Sequence, residues 1–131
     1  MGIPEVFRNQ NYINVTTFRK NGQPVPTPVW FVAMGDKLYT FTGGSSGKVK
    51  RIRANGRAQI APCDARGKPK AEFIPVRARI LSDEARKAQA RALYKRKYGL
   101  MYWFFNMANR LRKNSMGEEA FLEFEFETQE K

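Results

Sequence analysis

The 131-residue chain is predicted to form one mainly β domain over residues 1–131, a six-stranded antiparallel barrel carrying two helices. Three observations predict it. Several segments of seven or eight residues alternate in polarity at period two and are rich in β-branched and aromatic types. Glycine-containing turn signals separate most of them, as at Asn21-Gly22, Gly35-Asp36 and Asn55-Gly56. Two basic segments with helix-forming composition interrupt the series, so the element order becomes βββ-α-ββ-α-β. A chain of this length can bury a real core but is too short for two ordinary domains.

Residues 1–10 show no periodicity, and Gly2 and Pro4 disfavour an early helix. The first strand begins at Asn11, with Ile13, Val15 and Thr17 on one face and Tyr12, Asn14, Thr16 and Phe18 on the other. Lys20-Asn21-Gly22-Gln23 suits a two-residue type I′ turn, which returns the chain as a second strand from Gln23 to Met34. In that strand Pro24, Pro26 and Pro28 recur at period two, which strips one side of its ladder donors. The strand is therefore either a protected sheet edge or the place where a flat ligand lies, with Trp30 as a wall and the Val29 and Trp30 N–H groups facing polar ring atoms.

Gly35-Asp36 turns into a third strand over Lys37–Thr42. A short helix starting near Ser46 ends at Asn55-Gly56, and a fourth strand runs from Arg57 to Cys63. The fifth strand spans Ala71–Leu81, with Ile74, Val76, Ala78 and Ile80 on its buried face. Arg77 and Arg79 point the other way, toward solvent or a second subunit. Ser82-Asp83-Glu84 starts a helix that continues to Lys97, with Ser82 as its cap and a basic, solvated face. The aromatic and basic residues of 98–113 are too short and too interrupted to cross a bilayer. They fit packing over the sheet, a subunit partner or a peripheral membrane contact. Residues Ala120–Glu127 form the sixth strand, alternating Leu122, Phe124 and Phe126 with glutamates.

The chemistry concentrates in Thr42-Gly43-Gly44-Ser45-Ser46-Gly47-Lys48-Val49-Lys50-Arg51-Ile52-Arg53. Flexible glycine backbone, hydroxyls and a helix start followed by cations describe a grip for an anion, phosphate above all. On the helix Lys48 and Arg51 lie three apart, as do Lys50 and Arg53. A nucleotide-hydrolysing P-loop is excluded, because Thr42 and Val49 stand where that motif needs glycine and a magnesium-binding hydroxyl. The formal charge of +12 also calls for an anionic partner: a nucleotide cofactor, nucleic acid or lipid. The chain has no histidine, which removes the usual neutral-pH base and most nucleophile pairs. Its one cysteine, Cys63, sits in an apolar run and reads as a buried structural thiol, and a cytoplasmic location is expected.

Four segments in order resemble the pyridoxamine-phosphate-oxidase-like class of FMN-binding split barrels, in the branch of F420-dependent oxidoreductases. They are Tyr12-Ile13-Asn14-Val15-Thr16-Thr17-Phe18, Thr27-Pro28-Val29-Trp30-Phe31, Ser46-Gly47-Lys48-Val49-Lys50-Arg51 and Ala61-Pro62-Cys63-Asp64-Ala65-Arg66-Gly67. The resemblance implies a split-barrel homodimer with two cofactor sites at the subunit interface. It places Thr27, Pro28, Val29 and Trp30 beside the ring of FMN or coenzyme F420, and Thr42 and Ser46 on the cofactor tail. Lys48, Val49, Lys50 and Arg51 fall at its phosphate. It names no catalytic side chain, since hydride chemistry belongs to the cofactor, and no metal. The implied partners are a second copy and a small-molecule substrate, with no specific nucleic acid. A flavin or tetrapyrrole binder without catalysis is the alternative on the same barrel, and a basic nucleic-acid-binding module the alternative from another class.

Overall fold

The computed structural model describes residues 2–43, 47–101, 103 and 119–127. Its strands are β1 (Tyr12–Phe18), β2 (Pro24–Trp30), β3 (Val32–Met34), β4 (Lys37–Gly43), β5 (Arg57–Cys63), β6 (Ile74–Ile80) and β7 (Glu119–Phe126). The helices are α1 (Gly47–Asn55) and α2 (Glu84–Tyr98), and a single 3-10 turn at Glu5–Phe7 precedes β1. The strands form one antiparallel sheet in the order β2-β1-β5-β6-β7-β4-β3. It curls into the split barrel expected from the sequence, with seven strands instead of six.

The seventh strand arises at Phe31. The predicted Gln23–Met34 strand breaks there, because β2 belongs to one end of the sheet and β3, immediately after it in the chain, belongs to the other. A single residue thus bridges the two edges. Freed from both ladders, the backbone groups around it find side-chain partners on α2, as buried polar groups must. The Tyr98 hydroxyl accepts from the Phe31 N–H at 3.0 Å and lies 2.7 Å from the Asn11 carbonyl and 2.9 Å from that of Phe31. The Tyr94 hydroxyl donates to the Trp30 carbonyl at 2.7 Å and accepts from the Phe41 N–H at 3.3 Å.

Alternation along each strand sorts the side chains onto two faces. Ile13, Val15, Leu38, Ile60, Val76, Leu122 and Phe124 fill the barrel interior together with Val49 and Ile52 of α1 and Phe7 of the N-terminal turn. The opposite face is covered by α2, whose Ala90, Tyr94 and Tyr98 pack on Tyr39, Phe41 and Phe121. Beneath α2 a carboxylate is buried: Glu123 is 3% exposed. It accepts from the Tyr39 hydroxyl at 2.7 Å and pairs with Arg79 and Arg86. Burial alone pushes the Glu123 pKa up, but the hydrogen bonds from Tyr39 and Arg79 outweigh it and hold the carboxyl below its ordinary range. Tyr39, buried and facing that carboxylate, is pushed up to about 12.

Several local expectations change. The β1–β2 hairpin closes with a turn over Arg19–Gly22, Gly22 N–H to Arg19 O at 2.8 Å, in place of the type I′ turn expected one residue later. Gly22 takes φ +90° while Asn21 stays at negative φ, and the Asn21 side chain accepts from the Gln23 N–H at 3.0 Å. This is the three-residue loop with a glycine bulge. The cap of α2 is Asp83, which accepts from the Ala85 and Arg86 N–H groups, and not Ser82. The fifth predicted strand shortens to Ile74–Ile80. The N-terminal segment forms a short turn because Phe7 is drawn into the core against Phe31 and Phe126. The prolines of β2 do protect an edge: each lies opposite a β1 residue with its N side turned away from the ladder, at one end of the sheet. Residues 102 and 104–113 of the aromatic and basic stretch lie outside the described residues. Among the described residues no helix is long and apolar enough to cross a membrane.

Two substitutions test this framework. Tyr98→Phe keeps the ring that stacks on Trp30 but leaves backbone groups at Phe31 and Asn11 unpaired, so urea unfolding should show a loss of roughly 1 to 3 kcal/mol. Glu123→Gln should lose a similar, solvent-discounted amount at pH 7, since Arg79 and Arg86 are partly exposed. The folded pKa of Glu123 lies below the unfolded one, so its contribution is complete above about pH 5 and lost as pH falls through the folded value. The stability gap between the parent and Glu123→Gln should accordingly close in acid.

Candidate functional site

Helix α1 is held by the burial of its apolar side more than by propensity, since its first turn is Gly47-Lys48-Val49-Lys50, and it stops where Gly56 takes φ +69° and returns its N–H to Ile52 O at 2.8 Å. Val49 and Ile52 are fully buried and anchor it to the barrel interior. That rotation decides where the cations go. Lys48 and Arg51 end half-buried at the rim of the barrel, whereas Lys50 and Arg53 face solvent.

Arg51 reaches across to β1, its Nε donating to the Thr17 hydroxyl at 2.6 Å. Thr17 is fully buried and stands opposite Val25 of β2, two residues before Thr27. Burial, and then the charge of Arg51, lowers the pKa of Lys48; burial, and then the charge of Arg19, lowers that of Arg51. Arg51 therefore has a like charge on either side, Lys48 of the helix and Arg19 beside the hairpin turn. Among the described residues no carboxylate forms an ion pair with any of them. Gly47 opens the helix beside them, and a Cβ there would lie 2.8 Å from the Arg51 guanidinium. An anion with several acceptor oxygens is the group that fits this arrangement.

The other residues singled out from sequence divide between the two faces of β2. Val29 packs against the interior core, and Thr27 shares its face by alternation. Pro28 lies on the outer face near Gly67, and Trp30 stacks on Tyr98 with centroids 4.5 Å apart and planes 13° from parallel. Thr42 is half-buried near the end of β4, opposite Ala120. The buried side chain of Val49 leaves its backbone as the only part that could meet a ligand. Ser46 lies outside the described residues. The sequence reading missed Thr17 and Arg19: as an alternating strand residue and a residue beside a turn they carry no local mark, and only the hairpin brings them to α1.

Cys63 is buried and its thiol is pushed up to about 11 by burial, as a structural cysteine should be. A cleft of about 680 Å3 lies elsewhere, between the N-terminal turn, β3 and α2, and neither α1 nor β2 contributes a lining residue to it.

A curled antiparallel sheet flanked by two helices, with a cationic helix start at its rim, defines a split-barrel protein. The chain belongs to the pyridoxamine 5'-phosphate oxidase family, whose sequence profile matches residues 3–130. Solved structures share the fold at low identity. The heme storage protein HutZ of Vibrio cholerae superposes with a TM-score of 0.68 at 11% identity, covering 98% of this chain and 93% of its own. An FAD-binding protein of Mesorhizobium loti gives 0.66 at 17%, covering 95% and 84%. A pyridoxamine 5'-phosphate oxidase-related, FMN-binding protein of Nostoc punctiforme gives 0.54 at 15%, covering 88% and 70%. No curated protein matches the chain significantly.

Gly47→Ala isolates the geometry of the rim. The new methyl must displace the Arg51 guanidinium from Thr17, yet the obstacle is the mobile end of a side chain. We expect thermal stability within about 1 kcal/mol of the parent, the range of ordinary surface changes, together with a measurable loss of affinity for phosphorylated ligands by calorimetry.

Proposed function

We propose that this protein binds a phosphorylated flavin or deazaflavin, FMN or coenzyme F420, and acts as an oxidoreductase on a small molecule. The observation that carries this reading is the cluster of Lys48, Arg51 and Arg19, uncompensated among the described residues, at the mouth of the barrel. In this reading Lys48 and Arg51 hold the phosphate, Thr42 and Ser46 bond the tail, and Thr27 to Trp30 border the ring. When bound, either cofactor supplies the hydride chemistry; the chain holds and orients it and supplies no general base of its own. The exposed Lys50 and Arg53 would draw the acidic tail of F420, and this is the one feature that favours the deazaflavin.

The site is proposed to complete itself in a homodimer. Leu100, Met101 and Trp103, 74%, 55% and 53% exposed, leave an apolar surface that a second copy would cover. Haem is the other ligand class among the structural relatives. A chain without histidine lacks the usual axial ligand, and a buried thiol with a raised pKa is a poor substitute.

Absorbance and fluorescence titrations with FMN and with F420 test the proposal. Lys48→Ala and Arg51→Ala should each weaken binding about ten- to a hundredfold, the worth of one charge-assisted hydrogen bond, with the fold intact. Affinity should tolerate moderate salt, because few charges are involved. No affinity for either cofactor, coupled with sequence-selective DNA binding at physiological salt, would overturn it. Sedimentation should show a dimer, and a micromolar monomer that binds cofactor at full affinity would remove the shared site.

A further inference from the structure

The cleft between the Glu5–Phe7 turn, β3 and α2 takes no part in the cofactor reading, yet it has the makings of a site. Its volume of about 680 Å3 lies within the range of roughly 300 to 1,000 Å3 usual for small-molecule pockets. Its floor is apolar, with Phe7 and Phe31 edge to face at 6.4 Å and Leu93 of α2 beside them. Its rim is cationic, with Arg8, Arg96 and Lys97. The one acid in the lining, Glu5, is already paired with Arg8 at 2.9 Å.

Lys97 is the unusual member. The residue as a whole is exposed, but its ammonium turns inward. It donates to the Phe31 carbonyl at 2.9 Å and sits 3.6 Å from the Phe31 ring centroid and 5.3 Å from that of Tyr98. A lysine normally directs its charge to water and its stem to apolar surface. Here a carbonyl and a π face hold the charge at the cleft wall, and no carboxylate among the described residues pairs with it.

We propose that this cleft is a second binding site, for a small amphipathic anion whose apolar body rests on Phe7, Phe31 and Leu93 and whose carboxylate or sulfonate meets Lys97 and Arg96. The inference does not rest on the cofactor, since none of the residues assigned to the cofactor lines the cleft. Burial lowers the pKa of Lys97 to about 8, and a bound anion opposes that shift by favouring the ammonium. The charged and titratable groups around it are Glu5 and Arg8 of the N-terminal turn and Arg96 and Tyr98 of α2. The strand residues of the lining, Val32, Ala33 and Leu38, do not titrate. Affinity should therefore be highest below pH 8 and fall above it, where the free protein must take up a proton to bind.

The probe is 8-anilinonaphthalene-1-sulfonate, with uncharged N-phenyl-1-naphthylamine as its control. The full-length protein should bind both. Lys97→Met, which keeps the stem, should weaken the sulfonate about tenfold, the lower end for a charge-assisted contact, and leave the neutral dye unchanged. Arg96→Glu, at an exposed position that does not endanger folding, should act in the same direction. Lys48→Ala should leave both dyes unaffected, and FMN should not displace them. Sulfonate binding that ignores Lys97→Met and Arg96→Glu overturns the inference, as does displacement by FMN or an affinity constant from pH 7 to 9.5. FMN and F420 titrations of the same variants report separately on the cofactor site.

Discussion

The structure depends on what happens at Phe31. A curled sheet whose two end strands are consecutive in the chain must let the backbone leave one ladder and enter another within a residue, in the interior, where water cannot serve the freed N–H and C=O groups. Tyr94 and Tyr98, one turn apart on α2, supply hydroxyls that both accept and donate at that point. The helix is thereby fixed on the sheet by directional bonds, and apolar packing against Tyr39, Phe41 and Phe121 follows from the same docking. The cleft beside it is a consequence, because Phe31 and the first residues of β3 form part of its wall.

The positive charge of the chain is of two kinds. Arg79 of β6 and Arg86 of α2 are matched by the buried Glu123 of β7, and Arg86 ties α2 to that strand. Lys48, Arg51 and Arg19 are matched by nothing described, and Lys97 rests on a carbonyl and a ring. Unfolded, Lys48, Arg51 and Lys97 would be spread out and solvated; the fold partly desolvates them, which costs stability. Cations placed against stability in this way are more informative about function than the total charge, which solvation accommodates freely.

The shared barrel of relatives that store heme, bind FAD or bind FMN shows how little the fold alone constrains ligand chemistry. In this chain, which has no histidine, guanidinium and ammonium groups gather where α1 meets β1, beside Gly47.

By itself, the sequence determined most of the strands and the two helices, because each is written in local signals: period-two alternation, glycine turns, and a glycine-to-cation run that opens α1. β5 has the predicted limits, and the buried face of β6 is the one its alternation marks. Tertiary structure decided what depends on distant partners. The second strand divides at Phe31 because sheet closure, not propensity, governs that residue. Glu123 alternates like a solvated glutamate, yet the docking of α2 encloses it. Lys97 belongs by pattern to a solvated basic face, but the Phe31 carbonyl turns its charge inward. Thr17 meets Arg51 only because the β1–β2 hairpin and α1 come together, a juxtaposition spanning some thirty residues of chain that no local pattern encodes.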